Sequence, residues 1–421
     1  MKILHVIHRF VDTARRGSEL YTYVLGRLMA DRHDVAVLYT SPKKAEGRVE
    51  IGEVDGLQAF ILGCAESWEQ AKLRGGSRKA ESAFSSVLRE WKPDVVHFQH
   101  LLFHSLRLPT IAARAGVASL LTLHDFWLLC PQINLLDHQQ RISWPIYRRN
   151  CIACCEATVQ RQYSWRRLWG WEPTVLARRV LRAWYLTRGR PCQVNRVFRD
   201  VGLFIAPSEH VRDRFVEEGL PASKVVHCGH GINYDLRPVG YERRPYRGGP
   251  LRCGFIGTVA VFKGIDVLLE AFAGIDGASL AVYGKAAHQY LSRAGARNVR
   301  FMGEISDAQK AKAFEEMDAL IVPSIWFENF SLVTQEAFLF GVPVIASDIG
   351  ALRELVEDGK NGLLFRVGDA ADLRSKVEYL VRNPGEVRRL AANVPRVKSS
   401  VEHAAEIESL YERVLSGKRD G

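Results

Sequence analysis

Glu328 and Glu336 lie in a segment that runs from an apolar strand through a turn into a helix. Ser331 is the expected N-cap of that helix. The backbone N–H groups of Phe330, Ser331 and Leu332 would then lack helical partners, and with the helix dipole they form an anion site. A carboxylate is a poor phosphate ligand but a good acceptor for vicinal sugar hydroxyls. The pattern therefore favours a ligand that carries both phosphate and sugar.

A second cationic element precedes this segment. The stretch Gly257–Gly264 (GTVAVFKG) reads as a strand-to-helix turn that carries Lys263, and this lysine is well placed to face a diphosphate. The chain contains neither Gly-x-Gly-x-x-Gly after a strand nor a Gly-Lys-Ser/Thr phosphate loop, so neither common nucleotide fingerprint applies.

Four of the eight cysteines form a cluster with the spacing C-x20-C-x2-C-C. The C-x2-C spacing lets two thiolates share a tetrahedral zinc ion, which would stabilise the insertion around them. Free thiols without metal are the other interpretation, and the two stay open. The candidate ligands are Cys130, Cys151, Cys154 and Cys155, with His138 as an alternative fourth; the metal would be structural rather than catalytic.

Arginine and tryptophan concentrate in Arg141–Arg199, which holds 13 arginines, no lysine and two acidic residues, and therefore the whole net charge of +11. Within it, Thr174–Thr187 projects apolar residues onto one face of a helix and arginines onto another. Three uses fit this composition: packing in the core, binding to an anionic membrane surface, or contacting nucleic acid. Nucleic acid is the least favoured, because no known nucleic-acid module is visible.

The elements that position these residues follow from hydrophobic patterning. Apolar β-branched runs alternate with helical patterns, which is typical of α/β proteins with parallel sheets covered on both faces. We expect two doubly wound, Rossmann-like domains facing across a cleft, with ligands at the carboxyl ends of the strands. The expected strands are Lys2–Ile7, Asp34–Tyr39, Asp94–Gln99, Ala118–His124 and Val201–Pro207, then Leu251–Gly257, Ser279–Tyr283, Val299–Phe301, Ala319–Pro323, Val342–Ala346 and Leu363–Phe365.

The expected organisation is an N-terminal acceptor-binding domain over 1–236, with the Cys/Arg/Trp-rich insertion at about 130–200. A linker at 237–250 is followed by a nucleotide-sugar domain over 251–395 and a final helix over 396–421. No apolar run in the 421 residues is long enough to span a membrane. The N-terminus does not have the layout of a secretory signal, which favours a cytoplasmic protein.

The residues around the two glutamates resemble a known family. The Glu-x7-Glu pair within Pro323–Leu355 (PSIWFENFSLVTQEAFLFGVPVIASDIGALREL), followed by Glu357–Phe365 (EDGKNGLLF), is similar to the retaining glycosyltransferases of family 4, which have the GT-B fold. The early loop Arg16–Glu19 (RGSE) and Leu121–Trp127 (LTLHDFW) also match. The resemblance therefore covers nearly the whole chain.

The resemblance implies a role for each matched position. Glu336 would hold the donor ribose, Glu328 would hold hydroxyls of the transferred sugar, and the amides of Phe330 to Leu332 would contact the sugar and the distal phosphate. Lys263 would neutralise the diphosphate leaving group, which is electrostatic catalysis that requires no metal. No covalent enzyme nucleophile is expected.

The resemblance also involves the N-terminal half. His124 would approach the sugar, as a catalytic residue beside Glu328 and Lys263, and Gly17 would let the first loop close on the phosphates. Two positions depart from the family pattern: Thr258 stands where an arginine is common, and Arg16-Gly17 replaces the usual Gly-Gly. Phosphate neutralisation would then rest on Lys263 and Arg16.

These observations predict a metal-independent, retaining transferase that moves a sugar from a UDP- or GDP-sugar to a carbohydrate or lipid-linked acceptor. The arginine-rich segment favours a lipid-linked acceptor, as in polysaccharide or lipopolysaccharide assembly, at the inner face of a membrane. The linker at 237–250 would be the hinge. Three alternatives remain at this stage: a nucleotide-sugar epimerase of the same architecture, a non-catalytic nucleotide- or sugar-binding partner subunit, and a nucleic-acid binder.

Overall fold

The chain forms two compact units in the computed structural model. The first contains Met1–Gly229 and Val401–Gly421, and the second contains His230–Ser400. The structure describes residues 1–13, 17–73, 75–144, 146, 151–155, 181–182, 184–286, 290 and 298–417.

The first unit is built on an eight-stranded sheet with the order β3-β4-β2-β1-β5-β6-β7-β8. Neighbouring strands are parallel except for the antiparallel pair β3 and β4. The central strands are almost entirely buried on both faces, which is why they read as continuous apolar runs. The strands are β1 (Lys2–Ile7), β2 (Asp34–Ser41), β3 (Val49–Val54), β4 (Leu57–Gly63), β5 (Val95–Phe98), β6 (Ala118–Thr122), β7 (Leu203–Ala206) and β8 (Val225–His227).

Helices cover this sheet. Two of them begin at serine caps: the Ser77 hydroxyl accepts from the Ala80 N–H and the Ser208 hydroxyl from the Val211 N–H, so each satisfies an amide that the first turn leaves unpaired. The helices are α1 (Gly17–Ala30), α2 (Trp68–Leu73), α3 (Arg78–Trp91), α4 (Leu108–Arg114), α5 (Arg190–Asp200) and α6 (Glu209–Glu217), with a π-helical turn at Tyr185–Gly189.

The second unit is built on a six-stranded parallel sheet with the order β11-β10-β9-β12-β13-β14. Its strands are β9 (Leu251–Ile256), β10 (Ala278–Tyr283), β11 (Val299–Gly303), β12 (Ala319–Val322), β13 (Val344–Ser347) and β14 (Gly362–Phe365). Its helices are α7 (Ile265–Phe272), α8 (Asp307–Glu316), α9 (Leu332–Leu339), α10 (Gly350–Leu355), α11 (Ala370–Arg382) and α12 (Pro384–Ala392).

The last helix, α13 (Ser400–Ser416), packs on the first unit although it follows the second in sequence. Its buried face carries His403, Ala404, Ile407 and Tyr411. The Tyr411 hydroxyl lies 2.7 Å from Nδ1 of His97 on β5. The apolar period of α13 is readable from sequence, whereas the surface that covers it is set by the tertiary fold.

The expected linker at 237–250 lies within the second unit. The Arg243 guanidinium donates to the carbonyls of Met317 and Asp318 at 3.2 Å each, and Tyr246 is buried in the core of that unit. The polar, Pro/Gly-rich composition suggested a linker, but arginine can also cap carbonyls at the end of a buried helix.

The sequence missed β3, β4 and β8, and β8 has only three residues. Most of the predicted amphipathic helix Thr174–Thr187 lies outside the described residues. Within the part of the chain that the structure describes, no helix combines the length and apolarity needed to cross a bilayer. Two parallel-sheet units confirm the predicted α/β class.

Candidate functional site

The topology of the second sheet places two loops side by side. Strand β9 lies between β10 and β12, and both neighbours run parallel to it. The chain order reverses at β9, so the loops that follow β9 and β12 flank a crevice at the carboxyl edge of the sheet. Lys263 lies in the first loop and Glu328 in the second. This is why two residues that are distant in sequence meet.

Lys263 and Glu328 form a close ion pair. Lys263 Nζ donates to Glu328 Oε1 at 2.7 Å, and the same oxygen accepts from Ser324 Oγ at 2.5 Å and from Trp326 Nε1 at 3.1 Å. The Glu328 side chain is buried, and Lys263 Nζ also lies 5.1 Å from the centroid of the Trp326 ring. The carboxylate therefore has a fixed position beside the cation.

Gly264 allows the two loops to approach this closely. Its φ of 73° is in the left-handed region, and a Cβ at this position would lie 1.7 Å from the carbonyl oxygen of Pro323. A backbone hydrogen bond also joins the two loops: the Ile325 N–H donates to the Phe262 carbonyl at 3.0 Å. A side chain at 264 would push the Lys263 turn away from the end of β12.

Helix α9 begins at Leu332, with Ser331 at the N-cap position as predicted. The Ser331 hydroxyl does not cap the helix; it lies 2.8 Å from Thr334 Oγ1. Ser331 therefore occupies the predicted N-cap position, while its hydroxyl forms its hydrogen bond with the threonine hydroxyl one turn on. The Phe330 ring packs edge-on against His230, with centroids 5.0 Å apart. The first amides of α9 thus start beside the Glu328 loop without a cap from Ser331.

Glu336 is buried and has a different cation as its partner. Lys310 Nζ lies 3.0 Å from Glu336 Oε1 and 3.3 Å from Asp307 Oδ1. Burial raises the pKa of Glu336, and the charge of Lys310 opposes that rise. For Lys310, burial lowers the pKa but the two carboxylates outweigh it, so the pKa is raised overall. The sequence reasoning missed Lys310. A buried carboxylate requires a cation, but the residues around Glu336 in the sequence do not show which cation that is.

Thr258 lies in the loop directly after β9, and its side chain is exposed. Thr258 and Lys263 therefore lie at the same carboxyl edge of the second sheet. A role in donor binding for Thr258 stays a prediction.

In the first unit, His124 follows β6. Its Nε2 lies 2.8 Å from Gln99 Oε1, and its ring packs 4.8 Å from that of Tyr21. Burial lowers the pKa of His124 to about 3, so the ring is neutral at physiological pH and acts through hydrogen bonds rather than charge. Gly17 is the exposed first residue of α1, and a Cβ there would meet nothing within 4 Å. Arg16 lies outside the described residues.

The sequence reasoning also missed two histidine–carboxylate pairs at the carboxyl edge of the first sheet. His8 Nε2 lies 3.1 Å from Glu19 Oε1, and His100 Nε2 lies 2.9 Å from Asp125 Oδ2. The two imidazole rings are 4.8 Å apart. Histidines placed directly after β1 and β5 were the available signal, since those strands flank the reversal of chain order.

The cysteine cluster lies in the first unit. None of its four members forms a disulfide, and Cys154 Sγ lies 3.8 Å from His138 Nδ1. Burial raises the pKa of Cys130 and of Cys155 to about 12. Among the described residues, these sulfurs do not form a set of three ligand atoms within 4.8 Å of one another. Zinc binding by this cluster stays a prediction.

Two family models match the chain. The model described as "Glycosyltransferase Family 4" matches residues 15–236, and the model described as "Glycosyl transferases group 1" matches residues 250–383. The first match lies mostly in the first unit and the second lies within the second unit, while β1, α12 and α13 fall outside both matches.

Named relatives are glycosyltransferases. A phosphatidyl-myo-inositol mannosyltransferase of Mycobacterium leprae is 35% identical over 191 residues, which is 42% of this chain and 50% of the relative. The chain thus spans half the length of that relative. A glycogen synthase of Mycobacterium tuberculosis is 25% identical over 422 residues, which is 93% of this chain and 88% of the relative.

Solved structures share the fold at low identity. The sucrose-phosphate synthase of Thermosynechococcus elongatus superposes with a TM-score of 0.67 at 18% identity, over 99% of each chain. Anabaena HepE, solved with UDP and glucose, gives 0.64 at 17%, over 98% of this chain and 100% of its own. The fold is therefore that of the GT-B glycosyltransferases. With a family model that matches more than half of its residues, the chain belongs to glycosyltransferase family 4.

Proposed function

We propose that the protein is a retaining glycosyltransferase that takes a sugar from a nucleoside-diphosphate sugar without a catalytic metal. The observation that carries this proposal is the contact between Lys263 and Glu328 in the loop before α9, because it joins a cation to a carboxylate that can accept hydrogen bonds from sugar hydroxyls. Anabaena HepE has been solved with UDP and with UDP-glucose, which supports a nucleotide-sugar donor for this chain.

Lys263 takes the role of neutralising the leaving group. When the bond between sugar and phosphate breaks, negative charge grows on the diphosphate. A fixed ammonium and the N-terminus of a helix stabilise that charge, and removal of one such group typically costs about 100- to 1,000-fold in turnover. Glu328 holds the Lys263 ammonium at 2.7 Å. When the donor binds, the three N–H groups of the Lys263 ammonium would donate hydrogen bonds to both the Glu328 carboxylate and the phosphate.

Glu328 and Glu336 hold hydroxyls. An ionised carboxylate accepts hydrogen bonds from two adjacent hydroxyls, which suits both a sugar and a ribose. Lys310 favours the ionised form of Glu336 against the effect of burial. We assign the ribose to Glu336 and the transferred sugar to Glu328, in line with the order of the two residues along the loop and α9.

We assign the acceptor to the first unit, at the carboxyl edge of its sheet. The neutral His124 ring and the pairs His8–Glu19 and His100–Asp125 supply donors and acceptors for a hydroxylated ligand there. A lipid-linked or polysaccharide acceptor fits the exposed apolar side chains of Leu181 and Trp184, 65% and 60% exposed, within the arginine-rich segment. One relative carries a phosphatidyl-inositol acceptor in its name.

Calorimetry tests the donor site. UDP, GDP and ADP are titrated into the wild-type chain, Glu336→Gln and the matched control Glu315→Gln, an exposed glutamate of α8. We expect one nucleotide to bind, the Glu336 variant to bind it at least about 10-fold more weakly, and the control to match wild type. Binding that is equal in all three proteins would remove Glu336 from the site.

Transfer is tested with the sugar forms of the nucleotide that binds. NMR of the product gives the anomeric configuration, and repetition after EDTA treatment tests metal independence. An inverted product or full loss of activity in EDTA would contradict the corresponding part of the proposal. Formation of the epimer of the nucleotide sugar in the absence of an acceptor would indicate an epimerase instead.

A lipid-linked acceptor would bring the arginine-rich segment to an anionic membrane surface, and vesicle co-sedimentation tests this part of the proposal. We expect more protein on vesicles with anionic phospholipid than on neutral vesicles, and less after Trp184→Ser. Equal binding to both vesicle types would remove the membrane surface from the proposal.

A further inference from the structure

Three polar residues of the first unit, none of them assigned to the donor, have the composition of a metal site. Cys228 directly follows β8, and His403 and Glu406 are one turn apart on the face of α13 that meets it. Their ligand atoms, one sulfur, one imidazole nitrogen and one carboxylate oxygen, all lie within 4.8 Å of one another. Among the described residues this is the one such group.

The distances match those between ligands of a tetrahedral ion. Cys228 Sγ lies 3.6 Å from His403 Nδ1 and 3.2 Å from Glu406 Oε2. With Zn–S at about 2.3 Å and Zn–N at about 2.0 Å, a tetrahedral angle separates sulfur and nitrogen by about 3.5 Å. The group therefore needs only a small inward or outward adjustment to surround zinc.

The surroundings orient the histidine for a metal on Nδ1. His403 Nε2 lies 2.8 Å from the hydroxyl of Tyr21, so Nε2 carries the hydrogen when Tyr21 accepts, and Nδ1 keeps its lone pair. A partner of this kind on the second ring nitrogen is a regular feature of histidine ligands. Cys228 and His403 are buried, whereas Glu406 is exposed. Solvent thus provides both an entry path and a water for the fourth position.

We propose that Cys228, His403 and Glu406 bind a zinc ion that ties the last helix to the end of β8. The location gives the site a purpose. Cys228 and His403 stand next to the two places where the chain passes between units, Gly229 and Val401. On the other side of those places, the Ile232 N–H donates to the Lys398 carbonyl at 2.9 Å. The ion would fix the two crossing segments to each other within the first unit.

Cobalt(II) is the probe, because a thiolate ligand gives it a sulfur-to-metal charge-transfer band. The full-length chain is treated with EDTA, desalted under reducing conditions and titrated with cobalt, followed by zinc displacement. We expect a band that is reduced or lost in Cys228→Ala and unchanged in Cys192→Ala, an exposed cysteine of α5. Cys151→Ala separates this site from the cysteine cluster, whose own band would respond to that variant alone.

Two further variants keep the test decisive if Cys228→Ala folds poorly. Glu406→Gln changes an exposed side chain and should weaken cobalt binding at least about 10-fold, and Tyr21→Phe should weaken it about 10- to 100-fold. Zinc should raise the thermal midpoint of wild type by more than that of Cys228→Ala. The proposal would be overturned if the wild-type chain gave no cobalt band. It would also be overturned if Cys228→Ala and Glu406→Gln gave the same band as wild type.

Discussion

Lys263 and Glu328 are 65 positions apart in sequence and 2.7 Å apart in the structure. The ammonium belongs to the turn after β9 and the carboxylate to the loop after β12, and these strands are neighbours at the point where the chain order reverses. The pair is therefore a product of sheet topology. The loop after β12 therefore fixes the position of the Lys263 ammonium.

Lys263→Met is expected to lower kcat by about 100- to 1,000-fold while nucleotide affinity changes by about 10-fold or less, because the lysine acts mainly on charge that develops during transfer. Steady-state kinetics and calorimetry measure the two effects separately. Lys312→Met, an exposed lysine of α8, is the control. Unchanged kcat in the Lys263 variant would show that another group stabilises the diphosphate.

Lys310→Met should destabilise the second unit by about 2 kcal/mol and weaken nucleotide binding. Removing the cation leaves the buried Glu336 carboxylate without compensation. Because burial already raises the pKa of Glu336, the loss of Lys310 raises it further, and the neutral acid accepts fewer hydrogen bonds from ribose. Urea unfolding and calorimetry with the bound nucleotide measure both effects. Lys312→Met again serves as control, and equal stability of the two variants would contradict the argument.

Gly264→Ala should destabilise the second unit by about 3 kcal/mol or more and abolish transfer, because its Cβ would lie 1.7 Å from the Pro323 carbonyl oxygen. The matched control is Gly274→Ala. Gly274 has the same φ of 73°, but a Cβ there meets nothing within 4 Å, so only the backbone cost of about 1 kcal/mol applies. Urea unfolding of both variants checks the difference. Similar losses would show that φ, and not the approach of the loops, requires glycine at 264.

His104 predicts a pH dependence of stability in the first unit. Burial lowers its pKa to about 4, against an unfolded value of 6.5, while Nε2 donates to the Ile7 carbonyl at 2.8 Å. Between these pKa values the unfolded state binds more protons, so the stability contributed by the neutral ring is present above pH 6.5 and is lost as the pH falls towards 4. His5 and His124, with a pKa of about 3 each, act in the same direction.

The test compares His104→Gln with wild type at pH 7 and pH 5. The cost of the substitution should shrink by up to about 2 kcal/mol at pH 5, at 1.36 kcal/mol for each pKa unit crossed. Leu120→Ala, a fully buried residue of β6 without a titratable group, should cost the same at both pH values. A pH-independent cost for His104→Gln would show that the His104 ring has the same pKa in the folded and unfolded protein.

The sequence was informative about local elements. Both parallel sheets are recognisable from apolar runs, since strands buried on two faces carry little else, and α1, α3, α7, α8 and α9 follow from helical periodicity. Strands β3, β4 and β8 were missed; β3 is mostly exposed and β8 is too short to form a pattern. The boundary between the units fell before the polar stretch at 237–250, because arginine side chains attach that stretch to the second unit.

By itself, the sequence determined which chemical groups are available: the two glutamates, the lysine turn, the start of α9, and the family to which they belong. Residues close in sequence share an element, and local patterns report on elements. Only the tertiary structure decided the partners: Lys263 with Glu328, Lys310 with Glu336, and Cys228 with His403. Those pairs join positions that are far apart along the chain. The order of the strands, the close approach of the loops and the packing of the last helix bring these residues together. Local spacing in the sequence predicts none of these three features.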